Sequence, residues 1–262
     1  MLRTRLWTAV VALPALIAVV VFAPGVYFSV FIGALTAWAL YELAAMFQVR
    51  DPVRILILIV AGGASALLLL SGVRIGWEMP AIVIAAVLAQ VCIVARSGPD
   101  RAARHRVINV IVGSLWVGVL FPYFALLRNI PGGVPIVILM LLLVAASDSG
   151  AFFSGRSFGR IKLMPRVSPN KTVEGAIGGF AACTIAGQVL RFWLAPALSA
   201  SSVAFLAACV AVLAQLGDLA GSAFKRIAGV KDSGWIFPGH GGLLDRTCSL
   251  VFAAVFTYYY VR

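Results

Sequence analysis

Long stretches without charge recur along this chain at the length of membrane-crossing helices. Residues 6–41, 55–73, 79–95, 107–127, 129–147, 175–190, 192–217 and 247–261 contain no Asp, Glu, Lys or Arg. A bilayer core about 30 Å thick takes about 20 apolar helical residues to cross, and a helix satisfies its own backbone hydrogen bonds there. The first window is too long for one crossing, and Pro24-Gly25 near its middle is a turn signal. It divides into helices over 6–23 and 26–46. Further helices are predicted over 53–71, 79–96, 107–127, 133–152, 174–194, 202–220 and 247–261, the last being short. The pattern reads as an all-α, polytopic integral membrane protein of nine transmembrane helices. The basic start and apolar run at the N-terminus look like a signal peptide. No small-residue cleavage site precedes Pro24, so the first helix is expected to be retained.

Composition agrees: 62% of the 262 residues are hydrophobic and 11% charged, with a mean hydropathy of +1.04. The net charge of +12 reports orientation. With a cytoplasmic N-terminus, seventeen of the 21 Lys and Arg fall in inside segments and four outside, the positive-inside asymmetry. The expected location is the inner (cytoplasmic) membrane, with the polar site facing the cytoplasm. The cations also favour anionic lipid headgroups. No soluble basic domain exists, so nucleic acid is not an expected partner.

Only nine carboxylates occur. Asp148 in "LLLVAASDSGAFF" and Asp218 in "AVLAQLGDLAGSAF" are embedded in apolar sequence. A carboxylate at the bilayer centre costs about 2.5–3.5 kcal/mol on insertion scales, so such residues are usually functional or paired. In the nine-helix scheme both lie near cytoplasmic helix ends, and Asp245 opens the last helix on the same side. Three acids from separate segments thus share one depth beside the two basic loops. Hard carboxylate oxygens suit Mg²⁺, which also binds substrate phosphates. Lys and Arg hold the remaining phosphate charge. The competing reading is simple salt bridging of each Asp to a nearby Lys or Arg.

The loops carry further signals. "FPGHGGLLDR" (237–246) sets Gly239, Gly241 and Gly242 around His240, where backbone N–H groups can approach an anion closely. In "RVSPNKTVEGAIGGF" (166–180), Ser168-Pro169 breaks structure and Asn170 or Thr172 can cap the following helix. Lys171 beside that N-terminus makes a plausible anion site. Gly175 and Gly179 are expected to serve close helix packing. His105 in "RAARHRV" reads as solvated or lipid-facing. Cys92, Cys183 and Cys209 read as small buried hydrophobes, and no close CxxC pair suggests structural zinc. Neither a nucleophile triad nor a G-x-x-x-x-G-K-[ST] loop occurs. That suits a reaction in which the attacking group is already an anion on the substrate.

Residues 222–246 hold a long pattern: Ser222, Phe224, Lys225-Arg226, Lys231-Asp232, Gly234, Phe237-Pro238, His240-Gly241-Gly242 and Asp245-Arg246. It resembles the signature of the phosphatidate cytidylyltransferase (CDP-diacylglycerol synthase) family. The likeness extends through "SDSGAFFSGRSFGR", "RVSPNKTVEGAIGG" and "QLGDLAGSAFKR", covering most of 145–250. The resemblance implies that CTP and phosphatidate give CDP-diacylglycerol and pyrophosphate, with Mg²⁺, alone or with a second cation, in a homodimer. It implies metal-site roles for Asp218 and Asp245, with Asp148 in the same polar cavity. Catalytic roles fall to Lys225, Asp232 and His240. Substrate-binding roles fall to Ser168, Lys171, Ser222, Arg226, Lys231, Gly241, Gly242 and Arg246. Residues 1–130 then form N-terminal helices for packing and dimerisation, and 131–262 the catalytic region.

One position departs from the signature. The family pattern places an acid three residues after Asp245, where this chain has Cys248. On a helix the two positions share a face, and a thiol is a poor Mg²⁺ ligand. Activity is expected to persist, and Cys248→Asp to raise it or the Mg²⁺ affinity. Rival functions are another CTP-using membrane enzyme (a polyprenol or dolichol kinase, or a cytidylyltransferase for a different lipid), an ion-coupled transporter, and a structural scaffold. Transporters usually bind near the midplane, whereas these acids gather at one face.

Overall fold

The computed structural model describes residues 14–49, 52, 62, 76–100, 104–236 and 241–262. The expected helix over 53–71, the first part of that over 6–23, and His240 lie outside the described residues. Residues 14–22 are helical. Eight labelled helices follow: α1 Gly25–Met46, α2 Glu78–Ser97, α3 Arg106–Leu120, α4 Tyr123–Asn129, α5 Gly133–Phe158, α6 Val173–Leu194, α7 Ala200–Ala228 and α8 Leu243–Val261. Six described spans are long and apolar enough to cross a bilayer, with α3 and α4 together making one of them. The chain is a multi-pass, predominantly helical membrane protein.

Three features differ from the sequence expectation. The helix read over 107–127 is interrupted: α3 ends at Leu120, and α4 begins after Pro122, whose ring supplies no N–H to continue the ladder. Helices α5 and α7 run on to Phe158 and Ala228, past their apolar windows. Between α5 and α6 a small antiparallel ribbon appears, β1 Lys162–Met164 against β2 Ser168–Thr172, with Lys162 opposite Thr172 and Met164 opposite Ser168. Thr172 then caps α6, its hydroxyl accepting from Gly175 N at 3.1 Å. Of the two residues read as possible caps, Thr172 therefore serves and Asn170 does not.

Helix α5 lies along α6. A Cβ at Gly175 would stand 2.9 Å from the Ala151 carbonyl oxygen, and one at Gly179 would stand 2.7 Å from that of Ser147. These glycines do serve close packing. Helix α8 packs along α7 in the same manner: a Cβ at Gly217 would overlap the Cys248 carbonyl, and one at Gly221 the Cys248 sulphur. Trp116, Phe224 and Phe252 fill the space between α3, α7 and α8. Outward-facing Phe152, Phe153, Ile177, Ile185, Trp193 and Phe205 are exposed, as side chains solvated by lipid tails would be.

Contacts at each end of the bundle fix the helix directions. Arg166 donates to the carbonyls of Ala95 and Arg96 at the end of α2, and Arg226 Nε to that of Val167 at 3.4 Å. The ribbon therefore sits with the C-terminal ends of α2 and α7. Arg128 at the other end donates to the carbonyls of Val20 and Ala23, and Tyr260 to that of Ser202 at 3.0 Å.

Candidate active site

At the ribbon end, four chain segments bring charged groups together. Asp218 lies on α7, and its Oδ2 is 2.7 Å from Lys171 Nζ on β2. The Lys171 ammonium is shielded from solvent, whereas the Asp218 side chain is 49% exposed. Asp148 on α5 is within electrostatic reach of Asp218, Lys171 and Arg246. One turn beyond Asp218 comes half-buried Ser222, and then Lys225 on the same stripe of α7. Lys225 Nζ donates to Asp245 Oδ1 at 2.5 Å.

Asp245 is the third residue of α8, and it reaches back in the manner of a capping box. Its Oδ2 accepts from Gly242 N at 2.9 Å, Ser233 N at 2.8 Å and Ser233 Oγ at 3.0 Å. With Lys225 on the other oxygen, this carboxylate receives four donors. The anion that the glycine-rich turn approaches is thus the chain's own: Gly242 gives its amide to Asp245, and Gly241 turns with φ +79° directly against that carboxylate.

The remaining predicted positions lie around this centre. Arg226 ties α7 to the ribbon through Val167. Ser168 starts β2 and is half-buried, and Lys231, Asp232 and Arg246 are exposed. Two of the three predicted metal acids are ion-paired to lysines, so the salt-bridge reading is realised at Asp218 and Asp245. The Lys225–Asp245 pair joins a cation and an acid of the 222–246 pattern, whereas Lys171 and Asp218 come from two separate upstream stretches.

Among the described residues, no three His, Cys, Asp or Glu side chains converge as a ready-made cage for a metal. Mg²⁺ characteristically takes one or two carboxylates and completes its octahedron with water and substrate phosphates. Asp148 and Asp218, on packed helices α5 and α7, offer hard oxygens that fit that role. Asp245 is less available, because its oxygens already accept from four donors.

Cys248 lies one turn beyond Asp245, buried, its Sγ donating to the Leu244 carbonyl at 2.6 Å. Beside it, Trp116, Lys225, Ser233 and Asp245 help to enclose a cavity of about 10 Å³, room for at most one water.

The profile of the Cytidylyltransferase family matches residues 3–262. The chain belongs to the cytidylyltransferase family. It is 37% identical over 151 residues to a phosphatidate cytidylyltransferase of Bacillus subtilis, covering 57% of this chain and 56% of that protein. It is 42% identical over 137 residues to one of Staphylococcus haemolyticus, covering 52% of each. With one of Brucella suis it shares 46% over 128 residues, covering 49% of this chain and 47% of the relative. The matched stretch spans about half the length of these relatives.

This cytidylyltransferase-family chain also holds a residue that sequence reasoning passed over. Glu42, near the end of α1, is 3% exposed. Its Oε1 accepts from Leu243 N at 2.9 Å and from Trp38 Nε1 at 3.0 Å. Its Oε2 accepts from Leu244 N at 3.0 Å and lies 3.2 Å from Ser233 Oγ, whose single proton it shares with Asp245 Oδ2. The test that drew attention to Asp148 and Asp218, an acid set in apolar sequence, also marks "WALYELAAMF" around Glu42.

Proposed function

We propose that the chain transfers the cytidylyl group of CTP to phosphatidate, yielding CDP-diacylglycerol and pyrophosphate. The observation that carries this reading is the convergence of Lys171–Asp218 and Lys225–Asp245 at one end of the bundle. They come from the segments that resemble the family signature. A phosphate oxygen of phosphatidate attacks the α-phosphorus of CTP. A new P–O–P linkage forms, the bond to the β-phosphate bridging oxygen breaks, and pyrophosphate leaves with that electron pair. No proton has to move, so a general base is not required. The task of the site is to gather and hold negative charge.

Lys171, Arg226, Lys231 and Arg246 hold phosphate oxygens in this scheme, with Ser168, Ser222 and the Gly241-Gly242 turn shaping the pocket. Lys225, held by Asp245, stabilises charge at the transferring phosphorus, and Asp232 and His240 complete the catalytic set. Asp148 and Asp218, with Asp245 beside them, would hold Mg²⁺. When bound, that ion neutralises charge on the attacking and leaving oxygens. The half-exposed Asp218 supports its place as the principal ligand. The positive-inside count supports a site facing the cytoplasm, in the inner membrane. We further infer a homodimer, with residues 1–130 supplying the packing surfaces.

The test is incubation of purified protein in mixed micelles with labelled CTP, phosphatidate and Mg²⁺. Formation of a CDP-lipid with stoichiometric pyrophosphate is expected. Phosphorylation of a polyprenol instead, or a CDP-lipid only from another lipid phosphate, would replace this reading with a rival. Ion flux in vesicles without nucleotide turnover would replace it with a transporter.

A further inference from the structure

We propose that Glu42 is the positioning residue of this site: from α1 it fixes Ser233 and the first turn of α8, and through them the carboxylate of Asp245 against Lys225.

A helix begins with amide donors that its own ladder leaves unsatisfied. Here two acids divide them. Asp245 takes Gly242 N from within α8. Glu42 takes the next two, Leu243 N and Leu244 N, from 201 and 202 residues away. A local Ser, Thr, Asn or Asp at the N-cap would cap the helix without a distant acid. The N-cap position is instead Gly242, which has no side chain to offer.

The glycines follow from this arrangement. A Cβ at Gly242 would overlap Glu42 Oε2, and one at Gly234 would stand 2.6 Å from Glu42 Oε1. Both ends of the 234–242 stretch therefore close around this carboxylate. These two signature glycines make room for an internal anion, whatever else the loop binds.

Ser233 is the link to the chemistry. Its single hydroxyl lies 3.2 Å from Glu42 Oε2 and 3.0 Å from Asp245 Oδ2, and its amide donates to Asp245 at 2.8 Å. Displacing Glu42 thus moves two of the four donors that orient Asp245, which in turn holds Lys225. Among the described residues, Glu42 makes no hydrogen bond or ion pair with Lys171, Arg226, Lys231 or Arg246.

The consequence for turnover rests on the cytidylyl-transfer reading above, so the experiment carries one arm that does not. Hydrogen–deuterium exchange on the full chain in micelles reads the Ser233, Leu243 and Leu244 amides directly. Turnover of CTP and phosphatidate is measured beside it, with Glu42→Gln, Glu42→Asp and Ser233→Ala. Glu42→Gln is expected to speed exchange at those amides selectively. It should lower kcat/KM by about 10- to 100-fold, the usual effect of losing a group that orients a ligand, through kcat more than through the KM for CTP. Glu42→Asp, which keeps the acceptor pair, should recover part of both. Ser233→Ala in the Glu42→Gln background should cost less than it does alone, because the two act in series. Unchanged exchange in Glu42→Gln overturns the anchoring. Faster exchange with undiminished kcat overturns the positioning role. If Glu42→Gln does not fold, Glu42→Asp and Ser233→Ala are read alone, and additive effects on kcat overturn the linkage. A wild-type protein with protected amides and no CTP turnover would instead refute the activity and leave the anchoring standing.

Discussion

Lys225→Met leaves Asp245 with its charge and without its counter-ion. The Asp245 side chain is 3% exposed and that of Lys225 20%, so the pair is largely out of water. Removing one partner of a buried pair costs about 3–5 kcal/mol. Asp245 keeps three other donors, Ser233 N, Ser233 Oγ and Gly242 N, and these retain part of its stabilisation. The expected loss is therefore about 2–3 kcal/mol, roughly 30- to 150-fold in the folding equilibrium. Asp245→Asn should cost less, about 1–2 kcal/mol, because the long Lys225 stem can carry its charge toward solvent. The double variant removes both charges and should cost less than the sum by at least about 1 kcal/mol. The assay is denaturant unfolding of the four proteins in mixed micelles, with CTP turnover measured in parallel. The double variant should lose less stability than the two single losses combined, while its turnover stays low. Single-variant losses that sum to the double-variant loss within about 0.5 kcal/mol would show the two residues to be uncoupled, and the reasoning from burial would fail.

Asp218→Asn should lower turnover at least about tenfold and raise the Mg²⁺ concentration for half-maximal rate. A fully active variant with an unchanged Mg²⁺ titration would remove Asp218 from the metal set. Cys248→Asp should raise turnover or Mg²⁺ affinity while lowering the unfolding midpoint, since the adjoining cavity is only about 10 Å³. A kinetic comparison with no gain in either quantity would dismiss it. Gly217→Ala sets a methyl against the Cys248 carbonyl and should destabilise by about 1–3 kcal/mol through overpacking. An unchanged unfolding midpoint would show that α7 and α8 can separate there without loss.

The helices were legible because lipid allows few alternatives: a charge-free run long enough to cross must satisfy its own backbone. Their ends were less so. Helix α7 continues through Ser222, Lys225 and Arg226 to Ala228, because polar residues at a membrane surface do not stop a helix that packs on a neighbour. Pro122 lies inside an apolar window that has the length of a single helix, and its missing N–H breaks α3 from α4. The ribbon rests on short pairings around Pro169, and no period-2 alternation announces it. Asp218, Lys171, Lys225 and Asp245 were found by type and motif. Which lysine meets which aspartate depends on helix packing, and no local pattern encodes it. Glu42 closes its charge-free window just as Asp148 and Asp218 close theirs, but it lies far from the 145–250 stretch whose motifs single those two out. Its partners lie about two hundred positions away.

That separation bears on synthesis. Glu42 enters the bilayer region with α1, while Leu243 and Leu244, which satisfy it, are synthesised 201 and 202 residues later. In the interval the acid has Trp38 from its own helix and must find water at the membrane surface for the rest. A nascent chain interrupted before α8 is thus left with a bare carboxylate in an apolar helix, a defect that membrane proteases and chaperones can recognise.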